Sequence, residues 1–495
     1  QDHRNCDKCH TPAGKPNSTK DGDSWQKTPN RLACGACHDG ISFVTGKGVA
    51  RGSDYPGHIG GVQSDDSKCA LCHDATSIDK VYHLPVTPPN EASALHVAGG
   101  SANTNAAWLG SNPNRKPAGA ITVTYDISEV SLNASRNPVM KFRLLQNGVA
   151  VPFNTPSATV TELWNNFMGA PSVYFVFAVP QDGITAPSDF NASISSYLRT
   201  LWNGTSSGGG KGTLTGPDAG GYYTATITGS TVPANAVMLT GGLGYSYNVT
   251  SALPLTQTNL PDYPVSAAKV TTQTNKIGGL IMIAPNVTKV ATGFTGRRVI
   301  VEDARCNNCH QELGAFTAEA FHGGQRNDGP TCSWCHNPNR ASGGWSADST
   351  YFIHAIHGAK KRSKEFMWHS YSLAEPLSKV TYPGILKDCQ QCHTATGYDL
   401  SNPASTTNRL YRTVATGTIA STGANAVSNS PYITPDVAYG SGFSFSAVTG
   451  ATTAAAGTTL VNSPIASVCF ACHDSDIAKQ HMESNGASFY KDRAT

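Results

Sequence analysis

The middle of the chain carries an alternation of apolar and polar residues that is typical of β-strands. The apolar positions at its start are Ile121, Val123, Tyr125 and Ile127. They recur at every second residue, which is the period of a strand with one buried face. Further along, two segments rich in apolar residues, 140–146 and 149–151, flank the dipeptide Asn147-Gly148. Because Asn-Gly favours the tight turn between antiparallel strands, this segment predicts a β-hairpin.

Three more segments of this region predict strands, since they are rich in aromatic and β-branched residues. They are residues 172–179, 222–228 and 245–250, and Gly, Pro and Asn residues separate them. Between residues 103 and 301 there is neither a Cys nor a His. We therefore interpret residues 101–300 as an all-β sandwich or barrel domain that binds no cofactor.

The two flanking regions, residues 1–100 and 301–495, lack this alternation and contain every Cys and His of the chain. The chain has 49 Gly and 29 Pro and is only 39% hydrophobic. We therefore expect a multidomain protein in which two loop-rich, mostly helical lobes flank the β domain. A Ser/Thr/Gly-rich insertion at 400–465 interrupts the second lobe, as either a long surface loop or a small β excursion.

All 14 cysteines fall in seven copies of one pentapeptide, Cys-x-x-Cys-His. This is the attachment motif of c-type haem: two thiols bond the porphyrin edge and the next imidazole ligates the iron. The motifs predict seven c-type haems, three in the first lobe and four in the second. Their residues are Cys6, Cys9 and His10; Cys34, Cys37 and His38; Cys69, Cys72 and His73; Cys306, Cys309 and His310; Cys332, Cys335 and His336; Cys389, Cys392 and His393; and Cys469, Cys472 and His473.

Other uses of cysteine fit this pattern less well. A disulfide framework gives no reason for a His after every second Cys. Zinc sites pair two such motifs or add a distant His pair, and a thioredoxin-like redox motif would occur once. Haem attachment is the interpretation that accounts for all seven copies.

Nine further histidines are available as second axial ligands for seven irons. The candidates are His58, His83, His96, His322, His354, His357 and His481. His3 and His369 are left over, and either could bridge subunits. Methionine is the competing axial ligand, but among only six Met residues just Met482, beside His481, is an ambiguous case. We expect six-coordinate irons with two histidines each, and no catalytic residue.

Charge and targeting signals narrow the function. The formal charge of +3 omits two propionates per haem, so the holoprotein should be acidic and nucleic-acid binding is not supported. No segment is long and apolar enough to span a membrane, and the sequence does not begin with a signal peptide, so we interpret it as mature or truncated. Because bacteria attach c-type haem outside the cytoplasmic membrane, we expect an exported protein of a Gram-negative bacterium.

The second lobe resembles the outer-surface multihaem cytochromes of metal-respiring bacteria, the decahaem MtrC/OmcA family. The motifs that carry the resemblance are Cys306 to His310 followed by Phe321-His322-Gly-Gly, Cys332 to His336 followed by Asn-Pro, Ile353-His354-Ala-Ile-His357, Tyr382-Pro-Gly, and Ala471-Cys472-His473-Asp-Ser with His481-Met-Glu-Ser-Asn-Gly. The order lobe, β domain, lobe is also similar. The family has more haems, which implies that residues 1–100 correspond to the latter part of a larger haem domain. The family's regulatory cysteine pair has no counterpart here.

The resemblance implies extracellular electron transfer at the outer-membrane surface. The expected partners are metal oxides, chelates, flavins, other multihaem cytochromes or an outer-membrane electron conduit. With both axial positions filled, such a protein would reduce metals only by outer-sphere transfer, so whether it acts as an enzyme, a terminal metal reductase, stays open. One alternative is a subunit of a polymeric cytochrome filament, or nanowire. Another is a nitrite or hydroxylamine oxidoreductase with an open iron.

Overall fold

The described part of the chain covers most of the β domain and large parts of both flanking regions. The structure, a computed structural model, describes residues 10, 18, 20–38, 40–48, 57–75, 77–78, 121–245, 256–257, 280–281, 284–310, 313, 326–368, 377–380, 382, 384–402 and 406–494. The chain divides into two units, Gln1–His96 and Val97–Thr495. The expected domain limits near residues 100 and 300 stay predictions.

The described part of the first unit contains only short helices: α1 (Ser24–Lys27), α2 (Arg31–Gly35) and a 3₁₀ turn at Cys69–Leu71. The Asn30 side chain caps α2 by accepting a hydrogen bond from the Ala33 amide. The Arg31 guanidinium joins this helix to Asp66, with 2.7 Å between Nε and Oδ1. Among the described residues of this unit Ile78 is the only large hydrophobic one that is buried, so the capping hydrogen bond and the ion pair hold α2 with little apolar packing.

The first part of the second unit is built from strands. Its elements are β1 (Val123–Leu132), β2 (Pro138–Gln146), β3 (Val149–Ala150), β4 (Phe167–Met168), β5 (Ser172–Ala178), β6 (Ala192–Tyr197), α3 (Leu198–Trp202), β7 (Thr213–Thr215), β8 (Tyr223–Thr226), β9 (Val237–Gly244), β10 (Thr256–Gln257), β11 (Leu280–Ile281) and β12 (Val287–Val290). Two antiparallel sheets, β1-β2-β8-β7 with β3 on β2 and β12-β9-β5-β6, share one apolar core. A small third sheet has the order β11-β10-β4.

The alternation of the sequence explains the first sheet. Along β2 every second side chain is buried as far as Leu144, and Met140 and Phe142 lie in the shared core. Asn147 and Gly148 have φ values of 52° and 82° and form the turn from β2 to β3. Both φ values are positive, as the tight hairpin turn requires. The predicted hairpin is confirmed.

Strand β5 differs because it is buried on both faces. One face points into the core, whereas Val176 on the other face packs with an aromatic cluster that includes Trp334. The Trp334 ring stacks on Tyr245 and Tyr174, with centroids 4.9 and 5.8 Å apart. A Cβ atom on Gly242 would come within 2.5 Å of the Trp334 ring, so only glycine in β9 leaves room for it. The second sheet is therefore covered by a residue from inside a Cys-x-x-Cys-His motif.

The prediction that the lobes are mostly helical is wrong. The described part of residues 301–495 has five helices of at most nine residues, α4 (Asp303–His310), α5 (Cys332–Cys335), α6 (Ser349–His357), α7 (Pro464–Phe470) and α8 (Asp476–Ser484), and nine strands. The strands are β13 (Ala341–Ser342), β14 (Trp345–Ser346), β15 (Arg412–Ala415), β16 (Gly417–Thr418), β17 (Ala438–Tyr439), β18 (Ser444–Phe445), β19 (Thr452–Thr453), β20 (Leu460–Asn462) and β21 (Lys491–Asp492). Helices extend little beyond motifs and histidines because the intervening Gly, Ser and Thr residues are poor helix formers.

Of the two expectations for residues 400–465, the β excursion is confirmed: β15 pairs with β20, β16 with β17 and β18 with β19. Phe445 of this excursion packs edge-on against Phe177, with ring centroids 5.2 Å apart. None of the helices in the described ranges combines the length and the apolar character that a bilayer crossing requires.

A cluster of buried charges joins the β domain to the region that follows it. The Asp189 carboxylate, between β5 and β6, contacts the guanidinium groups of Arg297, Arg409 and Arg412 at 3.0, 3.1 and 3.0 Å. Arg412 also lies 3.4 Å from Asp348, and both side chains are buried. Burial alone would raise the pKa of Asp189, but Arg412, Arg409 and Arg297 outweigh it and hold that pKa well below its ordinary range. The carboxylate is therefore ionised and central to this contact.

We expect Asp189→Asn to destabilise the protein by about 3–5 kcal/mol, because it leaves three buried arginines with too little compensating charge. The free energy of unfolding in urea measures the effect. The stabilisation by ionised Asp189 is present above about pH 4 and is lost as the pH falls through its lowered pKa. The wild type should therefore lose more stability on acidification than the variant.

Asp218→Asn is the matched control in the same domain. Asp218 pairs with Lys141 at 2.7 Å, but both side chains are about 40% exposed, so water screens the pair and little change is expected. Equal destabilisation by the two substitutions would contradict the central role of Asp189.

Candidate haem-attachment sites

The predicted motifs share one backbone turn. In five of them the His amide donates to the carbonyl of the first Cys, with N to O distances of 2.8 Å at His38, 2.9 Å at His73, 2.9 Å at His336, 2.9 Å at His393 and 2.8 Å at His473. The motif at Cys306 lies within α4. At 3.6 residues per turn, this geometry places both Cys residues and the His on one side of the backbone. The turn thus supplies two thiols and an imidazole to one neighbouring group.

The cysteines that the structure describes form neither disulfides nor a metal cluster. All twelve cysteines in the described ranges are free. Within those ranges no group of three His, Cys, Asp or Glu side chains could hold a metal ion. Burial raises the pKa of Cys306 and of Cys332 to about 12, whereas a metal-bound cysteine must be a thiolate. The described cysteines are therefore present as thiols outside any disulfide, the form that covalent haem attachment requires.

Four histidines are oriented by the backbone. The Nδ1 atoms of His58, His336, His354 and His357 lie 3.0, 2.8, 2.7 and 2.8 Å from the carbonyl oxygens of Gly61, Ala347, Thr350 and Ile353. A carbonyl oxygen only accepts hydrogen bonds, so Nδ1 carries the proton. In this tautomer Nε2 carries the lone pair with which a histidine can bind a metal, and the Nδ1 hydrogen bond is the second bond that metal-ligating histidines normally make.

Two pairs of imidazoles face each other. The His354 and His393 rings have centroids 5.8 Å apart and planes 15° apart, and the His58 and His73 rings have centroids 6.4 Å apart and planes 30° apart. Two axial imidazoles with metal–nitrogen distances of about 2.0 Å would place their ring centres roughly 6 Å apart. Each pair joins a motif histidine to a predicted distal ligand. The spacing fits an iron held between the two rings.

The pair formed by His354 and His393 is also electrically suited to metal binding. Burial lowers the pKa of His354. Burial and then the neighbouring His354 lower the pKa of His393 to about 4. Both rings are therefore neutral at neutral pH, as metal ligands must be.

Helix α6 places two of the predicted ligands, His354 and His357, one turn apart. Its first turn is capped by Asp348, whose Oδ1 accepts a hydrogen bond from the Thr350 amide at 2.8 Å. Its far end approaches the last motif: the Cys472 Sγ atom lies 3.6 Å from the His354 carbonyl oxygen. A Cβ atom on Gly358 would lie only 2.6 Å from the same sulfur. One helix therefore connects the motif at Cys389 to the motif at Cys469.

Apolar side chains beside several motifs are exposed on the protein surface. Leu32 and Leu71, next to or within the second and third motifs, are 87% and 78% exposed. Ile59 follows His58, Ile385 precedes Cys389, and Ile477 follows His473, and all three are exposed. A flat apolar group attached at the motifs would cover such surface. Together with the facing imidazoles, this shows that the residues present fit c-type haem.

Some predicted ligands cannot be placed in this way. Cys6, Cys9, His83, His96 and His322 lie outside the described residues. His10 is exposed, and His481 is exposed on α8, directly after the last motif. Their roles, and the assignment of each motif to one haem, stay predictions.

Sequence reasoning missed a buried ion pair beside the last motif, Arg362 and Asp474, whose nitrogen and oxygen atoms lie 3.0 Å apart. It also missed Trp334 as the residue that contacts the β domain. The only available signal was position: Asp474 directly follows His473, and Trp334 lies between two motif cysteines. Neither position alone indicates burial.

Comparison with known proteins gives a family for the C-terminal region. No curated protein matches the chain. The crystal structure of MtrC from Shewanella baltica OS185 is 16% identical with a TM-score of 0.39, and the match covers 99% of this chain and 61% of that chain; this chain thus spans less than two thirds of that protein. Residues 298–495 match the family model of the outer membrane cytochrome MtrC/MtrF-like, domains II/IV. The predicted resemblance is confirmed for residues 298–495, less than half of the chain, which are similar to the MtrC/MtrF-like outer membrane cytochromes.

Proposed function

We propose that this protein is a multihaem c-type cytochrome that transfers electrons at the outer surface of a bacterial cell. The observation that carries the proposal is the presence of two pairs of neighbouring imidazoles, His354 with His393 and His58 with His73, and each pair joins a motif histidine to a predicted distal ligand. The match of residues 298–495 to a family model of outer membrane cytochromes supports the same function.

In this proposal each of the seven motifs holds one haem through its two cysteines, and its own histidine is one axial ligand. His354 is the second ligand for the haem on Cys389 and Cys392, and His58 for the haem on Cys69 and Cys72. His83, His96, His322, His357 and His481 serve the others. When bound, haem supplies one-electron redox chemistry at an iron whose potential depends on its ligands and surroundings.

The chain's own residues then determine how electrons move. Two imidazoles on each iron would leave no position for a substrate, so the bound haems would supply outer-sphere electron transfer. Helix α6 supports transfer between neighbours, because His354 faces the motif at Cys389 while its backbone contacts Cys472 of the last motif. The acceptors are metal oxides, chelates, flavins or partner cytochromes at the outer-membrane surface.

The mass of the holoprotein tests the proposal. Intact mass spectrometry should show seven covalently bound haems, and Cys34→Ala/Cys37→Ala should remove one. Low-temperature electron paramagnetic resonance should show only low-spin, six-coordinate ferric iron. Fewer haems, or a high-spin iron that binds nitrite or carbon monoxide, would contradict an electron conduit of seven bis-histidine haems and favour an enzyme with an open iron.

The pairing of His354 with His393 is tested by His354→Gly. Because one imidazole is removed, we expect one high-spin iron and an otherwise unchanged spectrum. Added free imidazole should restore the low-spin signal by filling the space of the lost ring. Imidazole added to the wild type is the control and should change nothing. A fully low-spin spectrum in the variant without imidazole would show that His354 is not an axial ligand.

A further inference from the structure

The buried pair formed by Arg362 and Asp474 lies directly beside the last haem motif, and neither residue is a predicted ligand. Both side chains are fully buried, with 3.0 Å between the guanidinium and the carboxylate. Asp474 is bonded to His473 through the backbone. A buried charge at this position acts through a low dielectric and is screened little by solvent.

Arg362 binds the motif through its backbone. Its Nη1 atom donates to the Phe470 carbonyl oxygen at 3.2 Å and to the Ala471 carbonyl oxygen, both inside the segment between Cys469 and Cys472. The guanidinium also lies 5.7 to 5.9 Å from the rings of Trp345, Tyr351 and Phe366, a range for cation–π attraction. Tyr351 belongs to α6, so Arg362 connects the last motif to the helix of His354 and His357.

Asp474 is held from the other side. Its carboxylate accepts hydrogen bonds from the Ser363 amide at 2.6 Å, the Lys364 amide at 3.0 Å and the Tyr432 hydroxyl at 3.2 Å. Such a set of donors fixes an ionised carboxylate in one orientation. The charges of the pair therefore cancel, and their positions relative to His473 are fixed.

We propose that Arg362 and Asp474 are positioning residues that fix the last motif against α6 and set the reduction potential of the haem on Cys469 and Cys472. The proposal rests on the proposed function. Adding an electron to a haem is favoured by nearby positive charge and opposed by nearby negative charge. With both partners present the two effects balance. Loss of Asp474 should therefore raise the reduction potential, and loss of the Arg362 charge should lower it.

The test compares two single variants by spectroelectrochemical titration. Asp474→Asn leaves Arg362 uncompensated and should raise the potential of one haem, whereas Arg362→Gln leaves Asp474 uncompensated and should lower it. A change of about tenfold in the reduction equilibrium, about 59 mV for one electron, is expected in each direction. The potential of the Arg362→Gln/Asp474→Asn double variant should return near the wild-type value. In Cys469→Ala/Cys472→Ala the haem of the last motif is not attached, so the potential that is missing from its titration identifies the affected haem.

Lys479 and Glu483 provide the matched control. They form an ion pair at 3.3 Å on α8, close after the same motif, but both side chains are about one third exposed. Lys479→Gln and Glu483→Gln should leave the potential unchanged, because water screens the charge that remains.

A loss of packing would shift the potential in the same direction in both single variants, whereas a charge effect reverses its sign. Shifts of the same sign would therefore overturn the proposal. Absence of any shift would also overturn it. If a single variant does not fold, Tyr432→Phe replaces it: loss of one donor to Asp474 should lower the same potential, and an unmoved potential would again contradict the proposal. Failure of the proposed function is recognised separately, since the wild type would then lack covalent haem.

Discussion

The hydrogen bond from a histidine amide to the carbonyl of the first cysteine, four residues back, is the local interaction on which this molecule depends. It closes the same turn at Cys34, Cys69, Cys332, Cys389 and Cys469. The turn brings three reactive side chains together with no help from tertiary structure, so it can be repeated in loops, short helices or next to strands. The surrounding chain then has only to deliver a second imidazole, which explains why the regions that carry the motifs need so little regular structure.

Buried ion pairs at helix α6 fix the region after residue 300 against the β domain. Asp348 caps the first turn of α6 and contacts Arg412, which also contacts Asp189 of the β domain. In the same turn of the helix, the Tyr351 ring packs against the Arg362 guanidinium. Buried ion pairs contribute little net stability compared with apolar packing. Their value here lies in geometry, because Arg412 joins Asp189 of the β domain to Asp348 at the start of α6. Arg362 likewise joins α6 to Asp474 beside the last motif.

Much of the local structure could be predicted from the sequence, whereas long-range features could not. The hairpin at Asn147-Gly148 and the alternating strand β2 follow from local pattern. Strand β9 was missed because its glycines serve distant partners: a Cβ atom on Gly241 would lie 2.7 Å from Val130, and Gly242 makes room for Trp334. The prediction of mostly helical lobes was wrong because the helical turn of each motif does not continue into the Gly-, Ser- and Thr-rich sequence around it. Asp189 and Arg412 are 223 residues apart, and no local pattern connects them.

The placement of His354 and His357 on one short helix has a consequence for how the chain can change. Each residue of an α-helix turns by about 100°, so one inserted or deleted residue between the two histidines would rotate one ring away from its neighbour. Substitutions that keep the helix are compatible with both rings. Chain length between residues 349 and 357 should therefore stay fixed even where individual residues of the helix change.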